Sequence, residues 1–231
     1  MKESLATNKV NLEIYSWEST NIISNYDYSY TAIMPCLVSD RYLEETIEAL
    51  YKQDKKDILY SIIITMSNVK NKVDKKVKLE FIRKYFKKYN ISTKVFISKK
   101  RLNGSKARNI CLQNATSDFV GLCDSDDNWK RYKLKNEWSY LKDFNKEKDY
   151  GFWGSYSTKR YFKKRFVILP ISINHSLLER YKFPHTSTWV LSKQLYKRIT
   201  FDEKLERYQD LAFIIDAKKI FKNCFIINEN L

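Results

Sequence analysis

The chain has 231 residues, of which 43% are apolar and 15% aromatic, and it carries only 4 glycines and 3 prolines. This composition supplies a sizeable core for one domain and excludes a disordered or low-complexity polymer. The formal net charge of +16 suits a polyanionic partner. Lysine-rich stretches are equally typical of the solvated faces of ordinary helices, so charge alone assigns no function.

The sequence indicates neither a membrane-spanning segment nor a disulfide framework. No stretch approaches the ~20 apolar residues of a bilayer crossing, and the first residues lack an apolar core of signal-peptide length. We therefore expect a soluble or peripheral protein of the cytoplasm. The four cysteines are widely spaced with no C-x-x-C pair, which predicts reduced thiols rather than a zinc site or a disulfide framework.

Strands and helices are predicted to alternate through the first half of the chain. The apolar run from Tyr30 predicts a buried strand that is stopped by Pro35. A helix follows, because Leu43, Ile47 and Leu50 recur at the spacing of one helix face. The same unit then repeats as strand, helix, strand, helix and strand in the segments YSIIITM, KVKLEFIRKYFKKY, STKVFIS, GSKARNICLQNA and SDFVGLCDSDD.

The second half has a different texture but continues the same sheet. KRYKLKNEWSYLKDF predicts a helix, and YGFWGSYSTKRYFKKRFVILP predicts a strand, a turn and a strand. QDLAFIIDAKKIF predicts a final helix and CFIINENL a closing strand. The residues expected to face inward on these two helices are Leu134, Trp138, Leu141, Leu211, Ile214, Ile215 and Phe221.

Alternation of this kind predicts an α/β fold with a mostly parallel central sheet flanked by helices on both faces. Ligands of such sheets bind beyond the carboxyl ends of the strands. Asp124, Asp126 and Asp127 follow the fourth predicted strand at that location. Carboxylates held so close repel each other unless a cation or a proton lies between them. Mg²⁺ or Mn²⁺ is the expected occupant, because these ions prefer oxygen ligands and are commonly completed by substrate phosphates.

Three other interpretations of these acids account for them less well. One of Asp126, Asp127 and Asn128 is expected to cap the following helix, although capping does not account for three acids. A calcium loop is excluded, because Trp129 and Lys135 occupy the positions that require glycine and glutamate. Phosphotransferases that form an aspartyl phosphate also use D-x-D, but after the first strand, whereas this motif lies mid-chain.

Three stretches, in order, resemble family 2 inverting glycosyltransferases with the GT-A fold, of the type that builds bacterial surface polysaccharides. MPCLVSDRYLEETIEALYKQ resembles the opening strand and helix of that family. GSKARNICLQNATSDFVGLCDSDDNW resembles its A-R-N helix and the D-x-D-D-x-W strand end, and FDEKLERYQDLAFII resembles its F-D-E-x-L segment with an E-D or Q-D pair. The resemblance implies a Rossmann-like GT-A domain over 30–231, with a donor half over about 30–129, an acceptor half over about 130–231 and an N-terminal segment over 1–29.

The resemblance also implies a donor site. Asp124 would contact the nucleotide ribose or the metal, and Asp126 would ligate Mn²⁺ or Mg²⁺ on the donor diphosphate. Pro35, Ser67 and Arg108 would line the same site. For Arg108, a structural salt bridge is an equally direct interpretation.

On the acceptor side, the resemblance implies that Asp210 is the base that removes a proton from the acceptor hydroxyl. A carboxylate at a helix N-terminus is kept ionised by the helix dipole, which suits a base, although ordinary capping explains the same position. His185 and Gln209 would lie on this side, and His185 would help to bind metal or substrate. A hydrogen-bonded core histidine is the alternative.

The implied reaction is transfer from a nucleotide-diphosphate sugar, with a UDP-hexose as first candidate, to a hydroxyl of a surface glycan or a lipid-linked oligosaccharide. The inner face of the cytoplasmic membrane is the expected place. The chain departs from the family's pattern at Leu37, Val38 and Met66. These departures leave a catalytically inactive GT-A relative that acts as a binding or scaffold protein as the alternative. The charge also admits a nucleic-acid-binding module, but no base-reading motif is present, so we expect no nucleic acid partner.

Overall fold

A computed structural model describes residues 2–7, 10–20, 26, 28–55, 58–144, 150–155, 166–170, 185–220 and 223–227. The strands are β1 (Lys2–Thr7), β2 (Val10–Trp17), β3 (Ser29–Leu37), β4 (Leu59–Ser67), β5 (Ser92–Ser98), β6 (Phe119–Leu122), β7 (Tyr150–Ser155), β8 (Phe166–Pro170), β9 (Val190–Ser192) and β10 (Asn223–Ile227). The helices are α1 (Leu43–Tyr51), α2 (Lys72–Tyr89), α3 (Gly104–Asn114), α4 (Lys133–Phe144), α5 (Lys193–Tyr196) and α6 (Gln209–Lys218), and a 3₁₀ turn spans Thr186–Thr188.

All ten strands belong to one sheet in the order β1-β2-β5-β4-β3-β6-β9-β7-β10-β8. The four central strands β5, β4, β3 and β6 are parallel, as the strand and helix alternation predicts. Antiparallel pairs flank them, with β2 on β5 and β9 on β6. The parallel centre brings the carboxyl ends of four strands to one edge of the sheet.

Strand β3 continues through Pro35 to Leu37, so the prediction that Pro35 stops the strand is wrong. Pro35 pairs with Thr65 of β4, whereas β6 pairs with β3 only as far as Ile33. Residues two apart in a strand direct their backbone groups to the same side. The N–H that proline lacks would therefore point beyond the end of β6, where no ladder bond is lost.

Helices cover both faces of the sheet and bury its apolar side chains. One face packs under α3, α5 and α6, with Ile33, Cys111 and Phe213 in its core. The other face packs under α1, α2 and α4, with Met34 and Leu134 in its core. The sequence-predicted residues Leu43, Ile47 and Leu50 are fully buried, as are Leu134 and Leu141.

Several predictions for the remaining elements are revised. None of Asp126, Asp127 and Asn128 caps helix α4, because the helix begins only at Lys133, five residues after Asn128. The two strands predicted around 150–170 form, but β10 lies between them instead of a direct pairing. On α6 the buried residues are Phe213, Ile214 and Ala217, while Leu211 and Ile215 are half-buried. Phe221 lies outside the described residues.

Two strands form before Tyr30, where the sequence predicts no element. Strands β1 and β2 pair as an antiparallel hairpin, and β2 adds to the free edge of β5. Leu12 and Ile14 bury their side chains on the α3 face of the sheet. Within the described part of the chain, none of the helices has the length and apolar character needed to cross a membrane.

Candidate functional site

A cavity of about 650 Å³ opens at the carboxyl ends of the four central strands. Its wall is built from the segment that ends each strand, from the first turns of α3 and from the chain that enters α6. This is the position that the α/β topology predicts for a ligand. The lining residues used below are Pro35, Leu37, Asp40, Ser67, Arg101, Gly104, Arg108, Asp124, Asp126, Glu206 and Gln209.

Arg108 joins the two walls of this cavity. Its Nη2 donates to Oδ1 of Asp124 at 2.5 Å, and its Nη1 faces Oε1 of Gln209 at 3.4 Å. The side chains of Arg108 and Asp124 are only 13% and 20% exposed. The guanidinium also lies over the ring of Phe201, 5.4 Å from the ring centroid. The structure therefore contains the salt bridge that the sequence allows for Arg108, and it places that ion pair inside the cavity.

Asp124, Asp127 and His185 form a cluster of three possible metal ligands. Each offers one ligand atom, and these atoms lie within 4.8 Å of one another. His185 begins the 3₁₀ turn and accepts from the backbone N–H of Ser187 through Nδ1 at 3.5 Å. The backbone N–H of Asp124 donates to Oγ of Ser187 at 2.9 Å, which ties the end of β6 to this turn.

The donor set of this cluster fits a divalent cation. Oδ2 of Asp127 is shielded from solvent and has no hydrogen-bond partner among the described residues. It lies 3.4 Å from Nδ1 of His185. A carboxylate oxygen and an accepting imidazole nitrogen repel at this distance unless a proton or a cation lies between them. Carboxylate oxygens suit Mn²⁺ and Mg²⁺, and the imidazole nitrogen adds a ligand that divalent transition-metal ions accept.

The remaining sequence-predicted residues are divided between the cavity and its surroundings. Asp126 is exposed and lines the cavity beside Asp124, but it is not part of the three-residue cluster. Pro35 and Ser67 line the cavity at the ends of β3 and β4, and Gln209 lines it at the start of α6. Asp210 lies in the first turn of α6 next to Gln209, with an exposed side chain outside the lining set.

Sequence reasoning missed three charged residues of the cavity wall and one possible ligand of the cluster. Asp40 follows β3 and accepts from the backbone N–H of Leu37 at 2.8 Å and from Oγ of Ser125. Arg101 follows β5 and Glu206 precedes α6. The sequence marks Asp127 as one of three clustered acids but does not single it out as a ligand. The rule that chemistry gathers after parallel strands would have found Asp40 and Arg101.

A second cavity, of about 570 Å³, lies at the amino ends of β4 and β5. Its wall includes Glu18, Ser19 and Tyr26, which adjoin chain outside the described residues. No cluster of possible metal ligands is found there within the described residues. We therefore assign the functional site to the carboxyl edge.

Most of the chain matches a known protein family. Residues 31–221 match the family model described as Glycosyl transferase family 2. The chain belongs to glycosyl transferase family 2. The match covers the cavity, the acid cluster and α6, and it confirms the family that the three sequence motifs indicated.

Two curated relatives and two solved structures are similar to this family 2 chain. The amylovoran biosynthesis glycosyltransferase AmsB of Erwinia amylovora is 28% identical over 204 residues, 84% of this chain and 65% of AmsB. The uncharacterized glycosyltransferase MJ1057 of Methanocaldococcus jannaschii is 29% identical over 182 residues, 76% of this chain and 59% of MJ1057. The chain thus spans less than two thirds of either relative.

The solved structures establish the fold. TarS of S. aureus in complex with UDP superposes with a TM-score of 0.68 at 20% identity, covering 87% of this chain and 58% of that one. The mannosyltransferase PcManGT of Pyrobaculum calidifontis, in complex with GDP-Man and Mn²⁺, superposes with a TM-score of 0.59 at 16% identity, covering 87% and 55%. The prediction of a GT-A fold is confirmed.

Proposed function

We propose that this chain transfers a sugar from a nucleotide-diphosphate donor to an acceptor hydroxyl, with inversion and with a divalent metal ion. The observation that carries the proposal is the joint placement of Asp124, Asp126 and Arg108 in one cavity with the start of α6. A cation site and a guanidinium together suit a diphosphate, because both neutralise the charge of the leaving group. A UDP-hexose is the first candidate, supported by the complexes of TarS with UDP and UDP-GlcNAc.

The donor would lie against the ends of β3, β4 and β6. Pro35 and Ser67 shape the wall that receives the nucleoside, and Asp124 lies within reach of the ribose or the metal. Leu37 lines this wall and Met66 is fully buried beneath it. The departures from the family's pattern therefore fall on the nucleoside wall rather than on the acid cluster.

Asp124, Asp127 and His185 would hold the metal, with Asp126 reaching it from the cavity side. When bound, a divalent ion supplies a Lewis acid that stabilises negative charge on the departing diphosphate. The fold brings the carboxylates of Asp124 and Asp127 close together. Arg108 and the Ser187 hydroxyl orient Asp124 through their hydrogen bonds to it.

Asp210 would act as the general base. Inversion requires a base on the face of the sugar opposite the leaving group, and the first turn of α6 lies at the cavity, whose wall Gln209 lines. Gln209 orients this turn, because its Nε2 donates to the carbonyl oxygen of Leu205 at 2.8 Å while its Oε1 faces Arg108. The exposed Asp210 carboxylate could then take a proton from an acceptor that enters from solvent.

The acceptor would be a hydroxyl of a surface glycan or a lipid-linked oligosaccharide. The name of AmsB, a biosynthetic glycosyltransferase for amylovoran, supports a polysaccharide pathway. The charge of +16 is compatible with docking at the anionic cytoplasmic face of a membrane, which would place the enzyme beside lipid-linked acceptors.

A panel of nucleotide sugars with Mn²⁺, scored by thermal shift and by nucleotide release, tests the proposal. Asp126→Ala should weaken metal-dependent donor binding, whereas Asp210→Asn should spare donor binding and stop transfer. Asp216→Asn is the matched control on the same helix, since Asp216 pairs with Lys219 away from the cavity. Absence of UDP binding with Mn²⁺ present would favour the inactive, scaffold-type alternative.

A further inference from the structure

Helix α4 contains a buried ion pair that the proposed chemistry does not use. The side chains of Lys133 and Glu137 are 0% and 1% exposed and pair within one helical turn. The phenol of Tyr30 donates to the second carboxylate oxygen of Glu137 at 3.0 Å. Nζ of Lys133 lies 4.4 Å from the ring centroid of Trp129, in position for a cation–π contact.

A contribution to the stability of the fold does not explain why Lys133 and Glu137 are buried as an ion pair. Desolvation of two charges commonly offsets their attraction, and apolar residues of similar volume often do as well or better. Lys133 also lies in the first turn of α4, where the helix dipole disfavours a cation. Burial raises the pKa of Glu137, which is a sign of the same desolvation cost. Since the pair is buried despite these costs, we look for its role in the position of neighbouring side chains.

The contacts of Trp129 lead from the ion pair to the acid cluster. The indole Nε1 donates to the carbonyl oxygen of Ser187 at 2.8 Å, and both groups are buried. Ser187 in turn accepts from the backbone N–H of Asp124 through its hydroxyl, and it belongs to the turn that His185 begins. The Trp129 indole therefore fixes the 3₁₀ turn. That turn begins at His185, one possible ligand, and its Ser187 hydroxyl contacts the backbone of Asp124, another possible ligand.

Packing leaves the indole little freedom. The rings of Tyr30 and Trp129 meet edge to face with centroids 6.4 Å apart. Gly121 lies against both rings, and a Cβ there would come within 2.0 Å of the Tyr30 hydroxyl and 2.8 Å of the indole. Lys133 and Glu137 close the remaining side of this pocket through the two contacts described above.

We propose that Lys133 and Glu137 are positioning residues for the acid cluster. Through Trp129 they fix the Ser187 peptide and thereby hold His185 opposite Asp124 and Asp127. This inference rests on the proposed metal site, because it predicts how that site is kept in shape.

The test replaces the pair by apolar residues of similar volume, Lys133→Met with Glu137→Leu. We expect the melting temperature to stay level or rise, while the dissociation constant for Mn²⁺, measured by titration calorimetry, increases by ~10-fold or more. The matched control is Lys52→Met with Glu48→Leu, which changes an exposed pair of the same spacing on α1 and should leave both values unchanged. If the pair served stability alone, its replacement would lower the melting temperature and leave the dissociation constant for Mn²⁺ unchanged.

A second variant, Trp129→Phe, and hydrogen exchange measured without metal test the inference independently. Trp129→Phe retains a ring over Lys133 but loses the donor to Ser187, and it should weaken Mn²⁺ binding to a similar extent. Hydrogen exchange of the Thr188 and Trp189 amides, which bond within the 3₁₀ turn, should accelerate in both variants. Folded variants with Mn²⁺ affinity within twofold of the wild type and unchanged exchange would overturn the inference. If the wild type binds no Mn²⁺, the metal proposal fails, and the exchange rates alone decide whether the pair positions the turn.

Discussion

Nη2 of Arg108 meets Oδ1 of Asp124 at 2.5 Å, and this contact links helix α3 to the end of strand β6. The same guanidinium faces Gln209 at 3.4 Å and covers the ring of Phe201. The planar guanidinium can bond to Asp124, face Gln209 and stack on Phe201 at the same time, whereas a lysine ammonium cannot. One side chain thus joins α3, the end of β6 and the start of α6.

Arg108→Lys should weaken Mn²⁺-dependent binding of UDP and lower the free energy of unfolding by about 1–3 kcal/mol, the usual cost of a lost charged hydrogen bond in a partly buried site. The ammonium keeps the charge but cannot bond to Asp124 and Gln209 at once. Titration calorimetry and urea unfolding measure the two effects. Arg83→Lys, on the exposed face of α2, is the control and should change neither. Wild-type UDP affinity in Arg108→Lys would remove the guanidinium from the donor site.

Asn109→Ala should destabilise the fold by about 3 kcal/mol, because it leaves buried backbone groups without partners. The Asn109 side chain donates to the carbonyl oxygen of Phe201 and accepts from its N–H, both at 2.8 Å. These bonds attach the F-D-E segment, and through it the entry to α6, to helix α3. Guanidinium unfolding provides the measurement.

Asn114→Ala on the same helix is the comparison for Asn109→Ala. Asn114 is half-buried, and the bond found for its side chain among the described residues is a donation to the carbonyl oxygen of Ile110 at 2.9 Å. Its loss should cost less than about 1 kcal/mol. Equal losses in the two variants would show that the Phe201 contacts carry no special weight.

The sequence predicts the central sheet well because buried parallel strands and amphipathic helices have distinct periods. Leu43, Ile47 and Leu50 face the core as their spacing requires. The hairpin of β1 and β2 was missed, although Leu12 and Ile14 alternate with more exposed residues in the manner of a half-buried strand. The alternation does not reveal which edge the strand would join, because its partner β5 lies far along the chain.

The arrangement of the cavity was predicted in part, and the rest was missed for a physical reason. Asp124 and Arg108 lie together as expected, because α3, which carries Arg108, begins at the edge of the sheet at which β6 ends. The pairing of Asp127 with His185 depends on a turn 58 residues later, which β9 brings beside β6. Local spacing contains no information about such a contact.

The three described free cysteines, Cys36, Cys111 and Cys123, should resist thiol reagents in the folded protein. Burial raises the pKa of the Cys111 thiol to about 12, and the pKa values of the other two lie well above their ordinary value. The thiolate is the reactive form, so at pH 8 about one Cys111 in ten thousand is ionised.

Labelling with a disulfide reagent at pH 8, in a Cys224→Ser background, measures this protection. We expect no reaction of the folded protein over minutes and rapid reaction of all three thiols after unfolding in guanidinium. Burial, rather than any partner, is the cause, so the protection should persist in high salt. Rapid stoichiometric labelling of the folded protein would contradict the buried placement of these side chains.

Tyr208 adopts a left-handed backbone conformation, with φ 58° and ψ 27°, immediately before Gln209. This region costs a residue with a Cβ roughly 1–2 kcal/mol, and only glycine occupies it freely. The Tyr208 ring is 62% exposed, so its removal sacrifices little packing. Tyr208→Gly should therefore raise the free energy of unfolding by about 0.5–1 kcal/mol, the cost of strain less the entropy that glycine adds to the unfolded chain.

Tyr42→Gly separates backbone strain from the loss of an aromatic ring. Tyr42 also precedes a helix and is 42% exposed, but its φ is −97°, a conformation that any residue adopts. Glycine there should lower the free energy of unfolding by about 0.5–1 kcal/mol, because it relieves no strain and adds entropy to the unfolded chain. Opposite signs in the two variants, measured by urea unfolding, are thus the expected result. Destabilisation by Tyr208→Gly would show that the tyrosine side chain itself holds the turn that presents Gln209 to the cavity.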